Sequence, residues 1–99
     1  MSKSILQKEK KCFYCGALYG LESHHVFGGP LRKLSEHWVL KVWLCHRHHN
    51  EPPEGVHHNR EKREGLQDFA QRMAMKVYGW DIDDFREIFM RNYLLEEEE

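Results

Sequence analysis

Two short knuckles, Cys12-Phe13-Tyr14-Cys15-Gly16 and Cys45-His46-Arg47-His48, constrain what this chain can fold into more than any other feature. Together Cys12, Cys15, Cys45 and His48 offer three thiolates and one imidazole, the soft donor set that suits one tetrahedral Zn2+. Buried free cysteines packing as small apolar side chains are the bland alternative, and it requires all three to fall into ligand spacing by chance. Three cysteines cannot all pair with one another, and the expected compartment is a reducing cytoplasm in which disulfides do not persist. A structural ion matters here because 99 residues make one small domain with little core to spare.

Residues 1–11 read as a flexible lead-in, 12–94 as a single domain and 95–99 as an acidic tail. No stretch approaches 18 consecutive apolar residues, and residues 1–11 are polar and lysine-rich, so neither a membrane span nor a secretory signal is expected. The net charge of -1 hides an asymmetry: residues 1–79 carry 13 Lys/Arg against 8 Asp/Glu, whereas residues 80–99 carry 2 against 8. The positive body permits a polyanionic partner but is too weakly basic to bind DNA by charge alone.

Periodicity predicts an α+β chain. Residues 21–27 form a short extended segment ended by Gly28-Gly29-Pro30, and a second strand is expected over 37–44, where Trp, Val and Leu are concentrated. A helical turn follows at Cys45 to His49, and Pro52-Pro53 must interrupt it. Asn59 is placed to cap a long helix whose apolar stripe is Leu66, Phe69, Ala70, Met73 and Val77, with Gly79 at its end. Asp81 and Asp84 open a last helix that buries Ile82, Phe85, Ile88, Phe89 and Tyr93. Both stripes are read as core.

Eight histidines are unusual for this length, and five of them lie within 46–58. Two others form the run Glu22-x-His24-His25 on the first expected strand, where neighbouring side chains point to opposite faces. His24 and His25 therefore should have different jobs. One imidazole holding a metal while its neighbour stays free to take a proton from water is the arrangement that metal-assisted phosphodiester hydrolysis needs.

In combination, Cys-x-x-Cys, Glu-Ser-His24-His25-Val, Leu-Cys45-His-Arg-His48-His49 and Gly-Val-His57-His58-Asn resemble the small HNH endonucleases of phages and prophages over roughly residues 12–59. The segment Arg91-Asn92-Tyr93-Leu94 is similar to the end of those proteins. The resemblance implies a ββα-metal unit with a separate structural zinc knuckle and two C-terminal helices. It also implies His24 and His49 as ligands of a catalytic ion, His57 as the third with His58 as fallback, and His25 as general base, oriented through its other nitrogen by a backbone carbonyl. To bring His57 to the ion, the loop Glu51 to Val56 has to fold back, because Pro53 stands one helical turn after His49. One departure is plain: the family's asparagine is expected about nine residues before the helical histidine, where this chain reads Val39-Leu40-Lys41.

The expected function is metal-dependent hydrolysis of DNA at low sequence specificity, with Mg2+, Mn2+, Ni2+ or Zn2+ as the catalytic ion beside the structural Zn2+. Arg32, Lys33, Arg47, Arg60, Lys62 and Arg63 are the candidates to hold backbone phosphates. A zinc-stabilised binding module that acts on a phage or host protein, with the fold but without cleavage, is the alternative from another class. A purely structural zinc-ribbon adaptor is the third.

Overall fold

A computed structural model describes residues 4–95 as a small α+β domain. Its centre is an antiparallel pair, β1 (Leu21–His25) and β2 (Lys41–Cys45), with His24 opposite Val42 and His25 opposite Lys41. The connection carries a single 3-10 turn (Gly29–Leu31) and a short helix, α1 (Arg32–His37). After β2 come α2 (His46–Asn50), the long α3 (Arg60–Tyr78) and α4 (Ile82–Phe89).

The connection differs from the sequence expectation. The first strand stops at His25, and the second begins at Lys41, leaving His37 to Leu40 outside it. Ser35 causes the early stop, because its hydroxyl accepts from the Phe27 amide at 3.0 Å and donates to the Phe27 carbonyl at 2.8 Å. Those two bonds take the backbone groups that a longer strand would have used on β2. Phe27 is instead buried against Phe85, Phe89 and Tyr93, with ring centroids 4.7–5.6 Å away.

The helical third follows from its caps. The Asn59 side chain accepts from the Lys62 amide at 3.0 Å, and Gly79 closes α3 in the left-handed region at φ 70°. Asp81 and Asp84 form a reciprocal capping box on α4. Leu66, Ala70, Phe85 and Phe89 are buried as expected, but Val77 and Ile82 lie exposed at the ends of their stripes. Buried Gln71 donates to Asn92 and accepts from the Tyr93 amide, which fastens the segment after α4 onto α3.

Residues 4–11, expected to be a loose lead-in, run along the outer edge of β2. The Ile5 amide donates to the Val39 carbonyl at 3.2 Å, the Trp43 amide donates to the Gln7 side chain at 2.8 Å, and the Ser4 hydroxyl donates to the Lys41 carbonyl. Leu6 is buried in the core. Without this cover the two-stranded sheet would present an unpaired edge. Glu96 to Glu99, most of the acidic tail, fall outside the described residues.

Candidate metal centres

The first centre forms where the N-terminal knuckle hangs on β2. The Phe13 amide donates to the Trp43 carbonyl at 2.8 Å, and the Gly16 amide closes the turn onto the Cys12 carbonyl at 2.9 Å with Gly16 at φ 77°. This brings Cys12 and Cys15 to Cys45 at the end of β2 and His48 in α2, all four donor atoms lying within 4.8 Å of one another. The Sγ atoms of Cys15 and Cys45 are 3.8 Å apart, and His48 Nδ1 lies 3.7 Å from Cys12 Sγ and 3.3 Å from Cys45 Sγ. A tetrahedral zinc with usual bond lengths sets sulfur–sulfur edges of about 3.8 Å and sulfur–nitrogen edges of about 3.5 Å, so the donor set fits. Burial opposes ionisation of Cys12, yet the backbone of Cys45, Cys15 and Tyr14 outweighs it and brings the thiol down to about 6. Cys12 is thus held ready to act as thiolate, whereas burial and the neighbouring thiols of Cys12 and Cys15 push Cys45 up.

The second centre is built from three imidazoles. His24 on β1, His49 on α2 and His57 beyond the loop each bring one ring nitrogen within 4.8 Å of the others. His49 Nε2 and His57 Nε2 are 3.0 Å apart, and the His24 ring lies 5.2 Å from each of the other two. His24 is 6% exposed, and its Nε2 is buried without a hydrogen-bond partner. An imidazole nitrogen left bare in the interior is costly unless something else takes its lone pair, and a divalent ion does that. Burial, then the neighbouring His49, His57 and His25, depress the His24 pKa to about 3, which keeps the ring neutral and able to ligate. Burial lowers His57 in the same direction.

Glu22 sets the orientation of His49. Its Oε1 accepts from His49 Nδ1 at 2.7 Å and from the Asn50 side-chain Nδ2 at 3.1 Å, while its Oε2 accepts from His46 Nδ1 at 3.2 Å. An ionised carboxylate only accepts, so Nδ1 of His49 carries the proton and Nε2 presents its lone pair to the cluster. The hydrogen bond from His49 is also the main reason that Glu22 stays ionised below the ordinary carboxylate range. Glu22 lies two residues before His24, and the strand period of two puts both on the face toward α2, a signal that could have assigned its role from the sequence.

The loop after α2 folds back as the resemblance required. The Val56 amide donates to the His48 carbonyl at 2.9 Å, and the His57 amide to the His49 carbonyl at 3.3 Å. His57, not His58, therefore joins the cluster; His58 is exposed.

His25 faces away from the ligands' side of β1, as strand alternation demands, yet it lines the same cavity of about 280 Å3 together with Ser23, Gly28, Gly29 and Arg32. Its Nε2 lies 2.9 Å from Glu36 Oε1. A carboxylate on α1 thus takes the place of the backbone carbonyl expected there. Of the six cations singled out in the sequence, Arg32 alone lines this cavity. Arg47 and Arg60 are paired with Glu54 and Glu64, Arg63 donates to the Val56 carbonyl, and Lys62 sits over the Tyr14 ring. Lys33 is exposed on α1. No helix among the described residues is long and apolar enough to cross a membrane.

Compared with protein families, curated proteins and solved structures, the chain matches none.

Proposed function

We propose that this protein is a metal-dependent endonuclease of the HNH type that hydrolyses DNA phosphodiester bonds, its hairpin and α2 serving as a ββα-metal unit. One observation carries the reading: His24 Nε2 is buried and unpartnered beside His49 and His57, with a fourth histidine, His25, on the same strand and the same cavity. Three imidazoles of this kind hold a divalent ion, which when bound supplies Lewis-acid stabilisation of charge on the phosphate oxygens.

The chain's own residues supply the rest. His25, neutral and held by Glu36, accepts a proton from the attacking water. Arg32, which lines the cavity, would hold the phosphate, and Gly28 and Gly29 line it without side chains, which favours close approach of a backbone phosphate. Glu22 keeps His49 in its ligating tautomer. Groups aimed at phosphate carry no base information, so low sequence specificity is expected, with a 5'-phosphate on the product.

The test uses supercoiled plasmid with Mg2+, Mn2+, Ni2+ or Zn2+ added to the zinc-loaded protein, wild type against His25→Ala. Cleavage by wild type, reduced by about two to four orders of magnitude in a His25→Ala variant of equal metal content, supports the reading. A chain that binds DNA without cutting it under any of the four ions is a binding module instead, and equal cleavage by wild type and variant removes His25 from the chemistry.

A further inference from the structure

Glu36 occupies a position that neither the knuckles nor the histidine cluster requires. It sits on α1, at the end of the connection between the strands, with its side chain half exposed. One carboxylate oxygen lies 2.9 Å from His25 Nε2, and the other accepts from Lys41 Nζ at 2.9 Å. Lys41 is 4% exposed and stands directly across the hairpin from His25. The buried Lys41 ammonium holds the carboxylate in place, since its own charge is poorly solvated and the contact with Glu36 offsets that cost. The carboxylate is thereby fixed at both oxygens, and the ring of His25 is fixed through it.

Because a carboxylate only accepts, the bond to Glu36 requires the proton of neutral His25 to reside on Nε2. The lone pair is then on Nδ1. We infer that Glu36, clamped by Lys41, is the positioning residue of His25: it locks the ring with Nδ1 as the proton acceptor and stabilises the imidazolium that forms. This rests on the nuclease reading above. In that step an O–H bond of water breaks, its proton goes to Nδ1, and the resulting positive ring faces the Glu36 carboxylate through Nε2–H. The oxygen that loses the proton forms the new bond to phosphorus while the P–O3' bond breaks, and the departing 3'-oxygen takes a proton from solvent water, which leaves the phosphate on the 5' side.

The test is a graded series on the full chain. Glu36→Gln keeps the shape and an accepting oxygen but removes the charge, whereas Glu36→Leu removes both. The expected result is a kcat for plasmid cleavage that falls stepwise from wild type to Gln to Leu, by about 10–100-fold in all, with KM unchanged. In parallel, proton NMR of the wild type should show a His25 Nε2–H resonance that is slow to exchange and shifted downfield, absent in Glu36→Leu. A purely structural Glu36 moves the unfolding temperature but neither of these. Unchanged kcat in the folded Gln and Leu variants, or an Nε2–H resonance that survives in Glu36→Leu, overturns the inference. If the wild type fails to cleave under any of the four ions, the nuclease reading falls by itself, and the resonance still decides whether Glu36 holds the ring.

Discussion

The Gly55 amide donates to the Glu51 carbonyl at 2.6 Å, and this tight turn is what returns the chain from α2 to the histidine cluster. A Cβ on Gly55 would lie 2.7 Å from the Glu51 nitrogen and 2.9 Å from its carbonyl oxygen, backbone atoms that cannot step aside without opening the turn. His57 follows two residues later, so the turn positions a candidate ligand of the histidine cluster without itself joining the cluster. Gly55→Ala should weaken binding of Mn2+ or Ni2+ at the histidine site by about 10–100-fold, the effect expected of a supporting residue, while the zinc of the knuckles stays. Calorimetric titration of the zinc-loaded chain reads this directly. Equal affinity in the variant would mean that His57 reaches the ion by another path.

Much of the two candidate centres is legible in the sequence. Ligand spacing in Cys12-x-x-Cys15 and Cys45-x-x-His48 is local, strand alternation separates His24 from His25, and the Asn59, Gly79 and Asp81 caps mark helix ends through backbone chemistry within a few residues. What was hidden depends on groups distant in sequence. Six residues of α1 are too few to show a helical period, and Ser35 ends β1 only because the fold brings it to Phe27. The docking of residues 4–11 rests on polar bonds such as Gln7 to Trp43, which leave no hydrophobic pattern. Glu36 reads as an ordinary surface acid until Lys41 and His25 converge on it.

The knuckle ion should be structural. The core is shared among thin elements, and Cys12 is itself a buried member of it, so loss of the ion removes a junction between the N-terminal segment, β2 and α2. Purified protein should hold about one zinc per chain that survives mild chelation, and Cys45→Ser should lose both the zinc and cooperative unfolding. His24→Ala and His49→Ala should keep that zinc and their fold. Metal analysis with thermal melts followed by circular dichroism separates the two sites, and zinc loss in either histidine variant would show that the ligands are divided wrongly.

Val39 carries strain. It adopts φ 54°, a left-handed conformation that crowds a β-branched side chain, and it is pinned there by bonds from its amide to Glu36 and from the Ile5 amide to its carbonyl. Glycine removes the crowding, worth about 1–2 kcal/mol, but costs about 0.5–1 kcal/mol in chain entropy. Val39→Gly should therefore be more stable by about 0.5–1 kcal/mol, a rise of several degrees in unfolding temperature for a domain of this size. Val39→Asn, which tolerates this region, should move the same way. A fall in both variants would mean that the half-buried valine side chain contributes more through packing than its backbone loses.

Acid should destabilise the chain through His24. In the fold its pKa is depressed to about 3, first by burial and then by the neighbouring imidazoles, whereas an unfolded histidine has its ordinary value of 6.5. Below 6.5 the unfolded state binds a proton that the folded state refuses, so the stability present above that value is progressively lost as pH falls toward 3. One such group gives a slope of up to about 1.4 kcal/mol per pH unit, and His57, lowered in the same direction, adds to it. Denaturant unfolding of the zinc-loaded chain between about pH 6.5 and 5, with the histidine site free of added ion, should show this slope. A His24→Gln variant should show a flatter profile over the same range, because glutamine does not titrate. Saturating Mn2+ should raise stability at every pH in the range by binding only the folded state, and most steeply near neutrality, where the competing proton is scarcest. Profiles of equal slope in wild type and His24→Gln would place the acid sensitivity elsewhere in the chain.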